Sequence, residues 1–126
     1  APVAAHLSLG VPPSAMGRKL ERIERLSLPS PVQIGDKIIG QILTFDRFGN
    51  AITNIPQQLL GENKRMEIKV GNTLLKGLST SYAERPPFTP LAIIGSSGFL
   101  EIALNLGSAR ASLRLRRGDE VEVKLL

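Results

Sequence analysis

Two polar segments stand out in this chain as places where chemistry could be done. The first is Asp46-Arg47-Phe48-Gly49-Asn50-Ala51-Ile52-Thr53-Asn54-Ile55, which interrupts an apolar strand with an acid, an aromatic and amide side chains around a glycine. An asparagine offers donors and an acceptor, a set suited to a purine edge or a ribose hydroxyl. Asn50 would equally well close an Asx-type turn on its own backbone, and the residues alone do not separate these readings. The second segment, Ser96-Ser97-Gly98-Phe99-Leu100-Glu101-Ile102-Ala103-Leu104-Asn105-Leu106-Gly107-Ser108-Ala109, sets small hydroxyls before a strand in which Glu101 breaks an apolar run. If Phe99, Glu101 and Ala103 share the outer face, Glu101 is merely solvated, the default for a lone strand acid.

Other chemistries find little support. His6 is the single histidine and has no partner nearby in sequence. No metal-ligand spacing is present, and no metal site is expected. Gly95-Ser96-Ser97-Gly98 lacks the G-x-S-x-G pattern of a nucleophile elbow and reads as a polar turn between strands. The absence of cysteine rules out disulfides and thiolate ligands and fits a cytoplasmic protein.

Strands must position these segments. Lys37 to Phe45 is rich in Ile and Leu, with Gly40 as a candidate bulge. In Arg65 to Val70, Met66, Ile68 and Val70 alternate with Glu67 and Lys69, the period of a half-buried strand. Gly71-Asn72 then turns the chain into a hairpin partner over Thr73 to Leu78. Leu91 to Ile94, Phe99 to Leu104 and Glu120 to Leu126 complete six or seven short strands, two of them introduced by Gly-Asp at Gly35-Asp36 and Gly118-Asp119. The pattern predicts an all-β chain, a small antiparallel β-barrel over residues 32–126. Residues 1–31 read as a partly helical leader: a short helix from Pro2 to Leu9 stopped by Gly10, a break at Pro12-Pro13, and Ser14 as a cap. Leu20, Ile23 and Leu26 then recur at helical spacing.

Composition bounds the function. The 126 residues make one domain with a modest core, and the 42% hydrophobic content argues against disorder. With 4% aromatic residues and no Trp, aliphatic side chains must fill that core. No stretch approaches the roughly 20 apolar residues of a membrane-spanning helix, so no membrane partner is expected. The chain opens abruptly at Ala1-Pro2-Val3 and reads as a piece of something longer. A net charge of +5 permits nucleic-acid binding. Only Arg110, Arg114, Arg116 and Arg117 cluster, however, and the strands lack the interleaved aromatics that stack bases, so nucleic acid is not the expected partner.

The two polar segments, in this order and spacing, resemble the signature of the S-adenosylmethionine hydroxide adenosyltransferase family, relatives of the bacterial fluorinase. Asp46-Arg47-Phe48-Gly49-Asn50 with Thr53-Asn54-Ile55 resembles the barrel's first signature. Ser96-Ser97-Gly98 through Glu101-Ile102-Ala103 and Asn105 resembles the second, and Ser79 to Tyr82 a Thr-x-Tyr stretch between them. Ala1 to Leu7 is similar to the tail of the family's N-terminal domain. Ser97 stands at the family's Ser-Arg pair in fluorinase and Ile52 at its Trp, departures that favour the hydrolase branch over halide chemistry.

The resemblance implies the substrate-binding C-terminal domain of a trimeric enzyme that splits S-adenosylmethionine with water into adenosine and L-methionine. The substrate would lie between this barrel and the N-terminal domain of a neighbouring subunit. The catalytic Asp, Arg and His belong to N-terminal motifs outside this sequence, so no catalytic residue is expected here, and the chain alone would be inactive. No cofactor is implied. By motif position Asn50 would bond the adenosine, with Phe48 and Tyr82 packed beside it. Ser96, Asp46 and Glu101 fall where the methionine ammonium and carboxylate are held, Ser97 counts as a further substrate-binding position, and the backbone at Leu104 and Asn105 would face the adenine edge. The rival readings are a basic nucleic-acid-binding barrel and a purely structural trimerisation module.

Overall fold

A computed structural model describes residues 2–18, 28–62 and 64–126. The leader begins with helix α1 (Pro2–Ser8), closed by Gly10 at φ 81°. A 3-10 turn follows at Pro13–Ala15, with Ser14 inside it and Pro12 rather than Ser14 at its cap position. The helical spacing of Leu20, Ile23 and Leu26 lies outside the described residues.

The barrel contains β1 (Val32–Ile34), β2 (Lys37–Phe45), β3 (Ala51–Pro56), β4 (Met66–Val70), β5 (Thr73–Lys76), β6 (Pro90–Ile94), β7 (Phe99–Leu104) and β8 (Glu120–Leu125). Single helical turns interrupt it at α2 (Gln57–Leu60) and α3 (Ala109–Ser112). The strands run β5-β4-β8-β2-β3-β7-β6, all neighbours antiparallel, with β1 added beside β2. The terminal strands β5 and β6 nearly meet. Just beyond β5, Ser79 bridges Ile93, and its N–H donates to the Ala92 carbonyl at 2.8 Å, so the chain forms an almost closed barrel.

Two strands escape the sequence reading. β1 is short and exposed throughout. β3 was hidden because Thr53 and Asn54 break its apolar pattern, yet both are buried and bonded. The Thr53 hydroxyl donates to the Leu100 carbonyl at 2.8 Å and accepts from the Ile55 N–H at 3.1 Å, within the register shift between β3 and β7. Asn54 donates to the Pro29 carbonyl and accepts from the Gln41 N–H, each at 2.8 Å, tying the segment before β1 to β2. Asn54 is therefore a structural residue. The Asp46–Ile55 segment does not interrupt one strand; it is the turn and second arm of the β2–β3 hairpin.

The register shift in β2 lies between Ile42 and Thr44, not at Gly40. Gly40 is needed for close approach instead. A β-carbon there would lie 2.4 Å from Asn54 Oδ1 and 2.5 Å from Ile55 Cγ1, both in the interior. Gly40→Ala must displace the very amide that bonds Gln41 and Pro29. Such overpacking costs typically 1–3 kcal/mol. We expect a lower urea midpoint at unchanged m-value, checked by fluorescence-free circular dichroism of the β signal.

The core is aliphatic, as composition demands. Ile38, Ile42, Leu100, Ile102, Val121 and Val123 are essentially inaccessible, and Phe45 is the aromatic packed against them. A second apolar cluster, Leu91, Ile93 and Ala103, occupies the opposite, outward faces of β6 and β7. Because side chains alternate along a strand, Glu101 emerges on this same outward face.

Candidate functional site

The β2–β3 turn is organised by Asp46. Its Oδ1 accepts the N–H groups of Phe48 and Asn50 at 2.9 and 3.0 Å, and its Oδ2 accepts from Asn50 Nδ2 at 2.9 Å. Gly49, at φ 82°, donates its N–H to the Asp46 carbonyl, completing the turn. The Asx residue is thus Asp46 rather than Asn50. Asn50 is buried, its amide nitrogen is held by Asp46, and its Oδ1 has no partner among the described residues. That leaves an acceptor fixed in position by a carboxylate.

Glu101 is not a solvated strand acid; it is 7% exposed. It sits in β7 between Ile52 of β3 and Ile93 of β6. Its carboxylate fills the space above Gly95, where a β-carbon would fall 1.8 Å from Oε1. Gly95 in turn closes the β6–β7 hairpin by bonds with Phe99 and Gly98. Burial first, and then the charge of Asp46, push the Glu101 carboxyl above the usual carboxylate range.

Tyr82 comes in on the 3-10 turn Tyr82–Glu84, in the connection from β5 to β6. Burial, then Glu101, then Asp46 raise its phenol above the ordinary value, so it remains an O–H donor at neutral pH. Asn105 straps this connection down. Its side-chain amide donates to the Arg85 carbonyl at 2.6 Å, its N–H donates to Thr89 at 3.3 Å, and its carbonyl accepts from the Phe88 N–H at 2.7 Å. The Asn105 backbone, expected to face a ligand, is therefore already paired inside the protein.

These elements enclose a cleft of about 790 Å³, within the usual range of small-molecule sites. Asp46, Phe48, Asn50, Tyr82, Ser96, Glu101, Leu104 and Asn105 all line it, so the structure gathers eight positions singled out in the sequence. Ser97 is exposed and does not line it. Ile93, Ile94, Gly95, Leu106 and Gly107 also contribute; sequence reasoning passed over them because apolar strand ends and turn glycines carry no chemical signal. The Ser96 hydroxyl has no partner among the described residues. The rim is open: Phe48, Tyr82 and Leu106 are 62%, 42% and 75% exposed. Among the described residues no cation lines the cleft, although the chain carries a net charge of +5. His6 is exposed in α1, its Nδ1–H bonded to the Pro2 carbonyl, and lies outside the cleft. No cluster of metal-ligating side chains occurs among the described residues, and none of their helices is long and apolar enough to cross a membrane.

Comparison with known proteins places this geometry in a family. The chain is 39% identical over 125 residues to the (R)-S-adenosyl-L-methionine hydrolase of Thermus thermophilus, covering 98% of this chain and 46% of that protein. It is 29% identical over 134 residues to the fluorinase of Nocardia brasiliensis, covering 97% of this chain and 45% of that one. The chain spans about half the length of these curated relatives. A crystal structure of an uncharacterized conserved protein from Thermotoga maritima superposes with TM-score 0.74 at 36% identity, over 98% of this chain and 49% of that one. The family model for the SAM hydroxide adenosyltransferase C-terminal domain matches residues 40–122, inside which every strand from β3 to β7 and the whole lining of the cleft fall. The chain belongs to the SAM hydroxide adenosyltransferase C-terminal domain family.

Proposed function

We propose that this chain is the substrate-binding half of an enzyme that hydrolyses S-adenosyl-L-methionine to adenosine and L-methionine. The observation that carries the reading is the charge of the cleft: Asp46 and Glu101 both line it and, among the described residues, no cation does. S-Adenosylmethionine carries an ammonium and a sulfonium, and unneutralised carboxylates in a partly desolvated cleft suit such a ligand. The exposed ring of Phe48 and the phenol of Tyr82 offer flat faces for the adenine or the sulfonium. The free Oδ1 of Asn50 and the Ser96 hydroxyl can take ribose or ammonium hydrogens. Leu104 and Leu106 supply an apolar wall.

The reaction would be displacement by water at the 5′ carbon, with methionine leaving as a neutral thioether. This half contributes orientation and exclusion of solvent rather than a nucleophile. A second domain, from a neighbouring subunit of a trimer, covers the open rim and activates the water.

The test is calorimetric titration of S-adenosylmethionine and adenosine into the chain, with chromatographic assay of adenosine release. We expect binding in the millimolar range, near −4 kcal/mol, and release at the spontaneous rate. Turnover well above background, or binding unaffected by Asp46→Asn with Glu101→Gln, would overturn the proposal.

A further inference from the structure

A second polar concavity lies away from the cleft. A groove of about 490 Å³ is lined by Ser108, Arg110, Ala111, Arg114, Leu115 and Arg116. Among the described residues it contains guanidinium-bearing side chains and no carboxylate. None of Arg110, Arg114 and Arg116 has a carboxylate on its guanidinium among the described residues; Asp119 bonds the Arg116 backbone N–H instead, at 2.8 Å. Arg110 is held in place, its guanidinium 4.8 Å above the centre of the Phe45 ring. Arg114 adopts φ 54°, a conformation that a non-glycine residue takes at some cost. The turn that follows α3 thus brings Arg110, Arg114 and Arg116 to one groove. Arginine forks match phosphate oxygens in bidentate fashion, and guanidinium is only weakly hydrated, so a cluster without acids attracts a multiply charged oxyanion.

We propose that this groove is a binding site for a small polyphosphate or phosphate ester. Single-stranded nucleic acid fits it less well. Among the described residues, no aromatic side chain lines the groove on which a base could stack. The groove also adjoins the first site. The Arg110 N–H donates to the Gly49 carbonyl at 2.9 Å, and Ser108 Oγ lies 2.1 Å from where a β-carbon on Gly49 would be. An anion seated on Arg110 would therefore be felt at the Asp46–Asn50 turn.

The probe is inorganic triphosphate, titrated into the chain at low salt and followed by amide NMR and calorimetry. Binding should strengthen as salt falls, since the contact is ionic. Shifts should centre on residues 108–117 and Gly49. The Arg110→Gln, Arg114→Gln double variant should lose about tenfold or more in affinity, corresponding to about 1.4 kcal/mol. Arg117→Gln, outside the groove lining, should lose less than about twofold. Shifts spread equally over Lys69 and Lys124, equal losses for Arg117→Gln, or no binding at all would overturn the proposal. An oligonucleotide that binds more tightly than triphosphate with shifts at Arg47 and Arg117 would overturn it too, in favour of a nucleic-acid surface.

Discussion

Replacing Glu101 by glutamine should weaken S-adenosylmethionine binding sharply while leaving the barrel at least as stable as before. The carboxylate is buried beside Gly95 and shares the cleft with Asp46, and both its burial and that neighbour disfavour the charged form. A hydrogen bond to a charged group contributes about 1.5–3 kcal/mol, so the full-length enzyme should lose on the order of 10- to 100-fold in kcat/KM at 1.4 kcal/mol per tenfold. The stability effect has the opposite sign. Because folding raises the carboxyl's pKa, its contribution to stability is fully present below the unfolded value and is lost as pH rises through the folded value. Above that window wild type carries a buried anion that glutamine does not. Urea midpoints should therefore favour Glu101→Gln at neutral pH and converge in acid. Ligand affinity of the wild type should rise with pH across the same window, because an ammonium needs the ionised form. A variant that is both destabilised at neutral pH and unchanged in affinity would show Glu101 to be a structural acid with no ligand role.

That opposition explains why Glu101 was hard to read from sequence. Its period-two position was legible, and so were the limits of its strand, since Phe99–Leu104 follows directly from the apolar run between Gly98 and Asn105. What the pattern could not carry is that the outward face of β6 and β7 is itself buried, along with the Leu91, Ile93 and Ala103 side chains it carries. The same limit applies to Asn54 and Thr53. They look like loop residues because their partners, Pro29, Gln41 and Leu100, are distant in the chain. A propensity rule counts the polar atoms and misses the bonds that satisfy them. Asp46 shows the reverse case. An Asx turn is legible in the motif, but the residues leave open whether Asn50 closes it or binds a ligand, because either Asp46 or Asn50 can cap a turn. The cleft residues were recognisable through their likeness to a family, whereas the roles of Gly95 and Asn105 in holding it together depend on contacts made only in the folded chain.

Activity should reappear when two differently disabled full-length proteins assemble together. One would carry an inactivated N-terminal domain and an intact barrel. The other would carry Asn50→Ala with Ser96→Ala in the barrel and an intact N-terminal domain. The protein with the inactivated N-terminal domain should release adenosine at close to the uncatalysed rate, and the barrel variant, losing about 2 kcal/mol in all, at about 30-fold below wild type at low substrate. Asn50→Ala removes an acceptor held by Asp46, and Ser96→Ala removes a hydroxyl with no partner among the described residues. Neither change reaches the aliphatic core, so the barrel should stay folded; losing each well-placed hydrogen bond costs on the order of 1 kcal/mol of binding. The cleft has an open rim at Phe48, Tyr82 and Leu106, and one wall buries too little of a ligand to hold it tightly. If the second wall comes from a neighbour, a mixed assembly contains some sites in which an intact N-terminal face meets an intact barrel. Co-expression with different tags, sequential purification and measurement of adenosine release would read this directly. Recovery to a substantial fraction of wild-type turnover per complete site is the expected result. Verified mixed assemblies with no recovered activity would mean that each site is built within one chain, and that the open rim of this barrel is covered by its own N-terminal half.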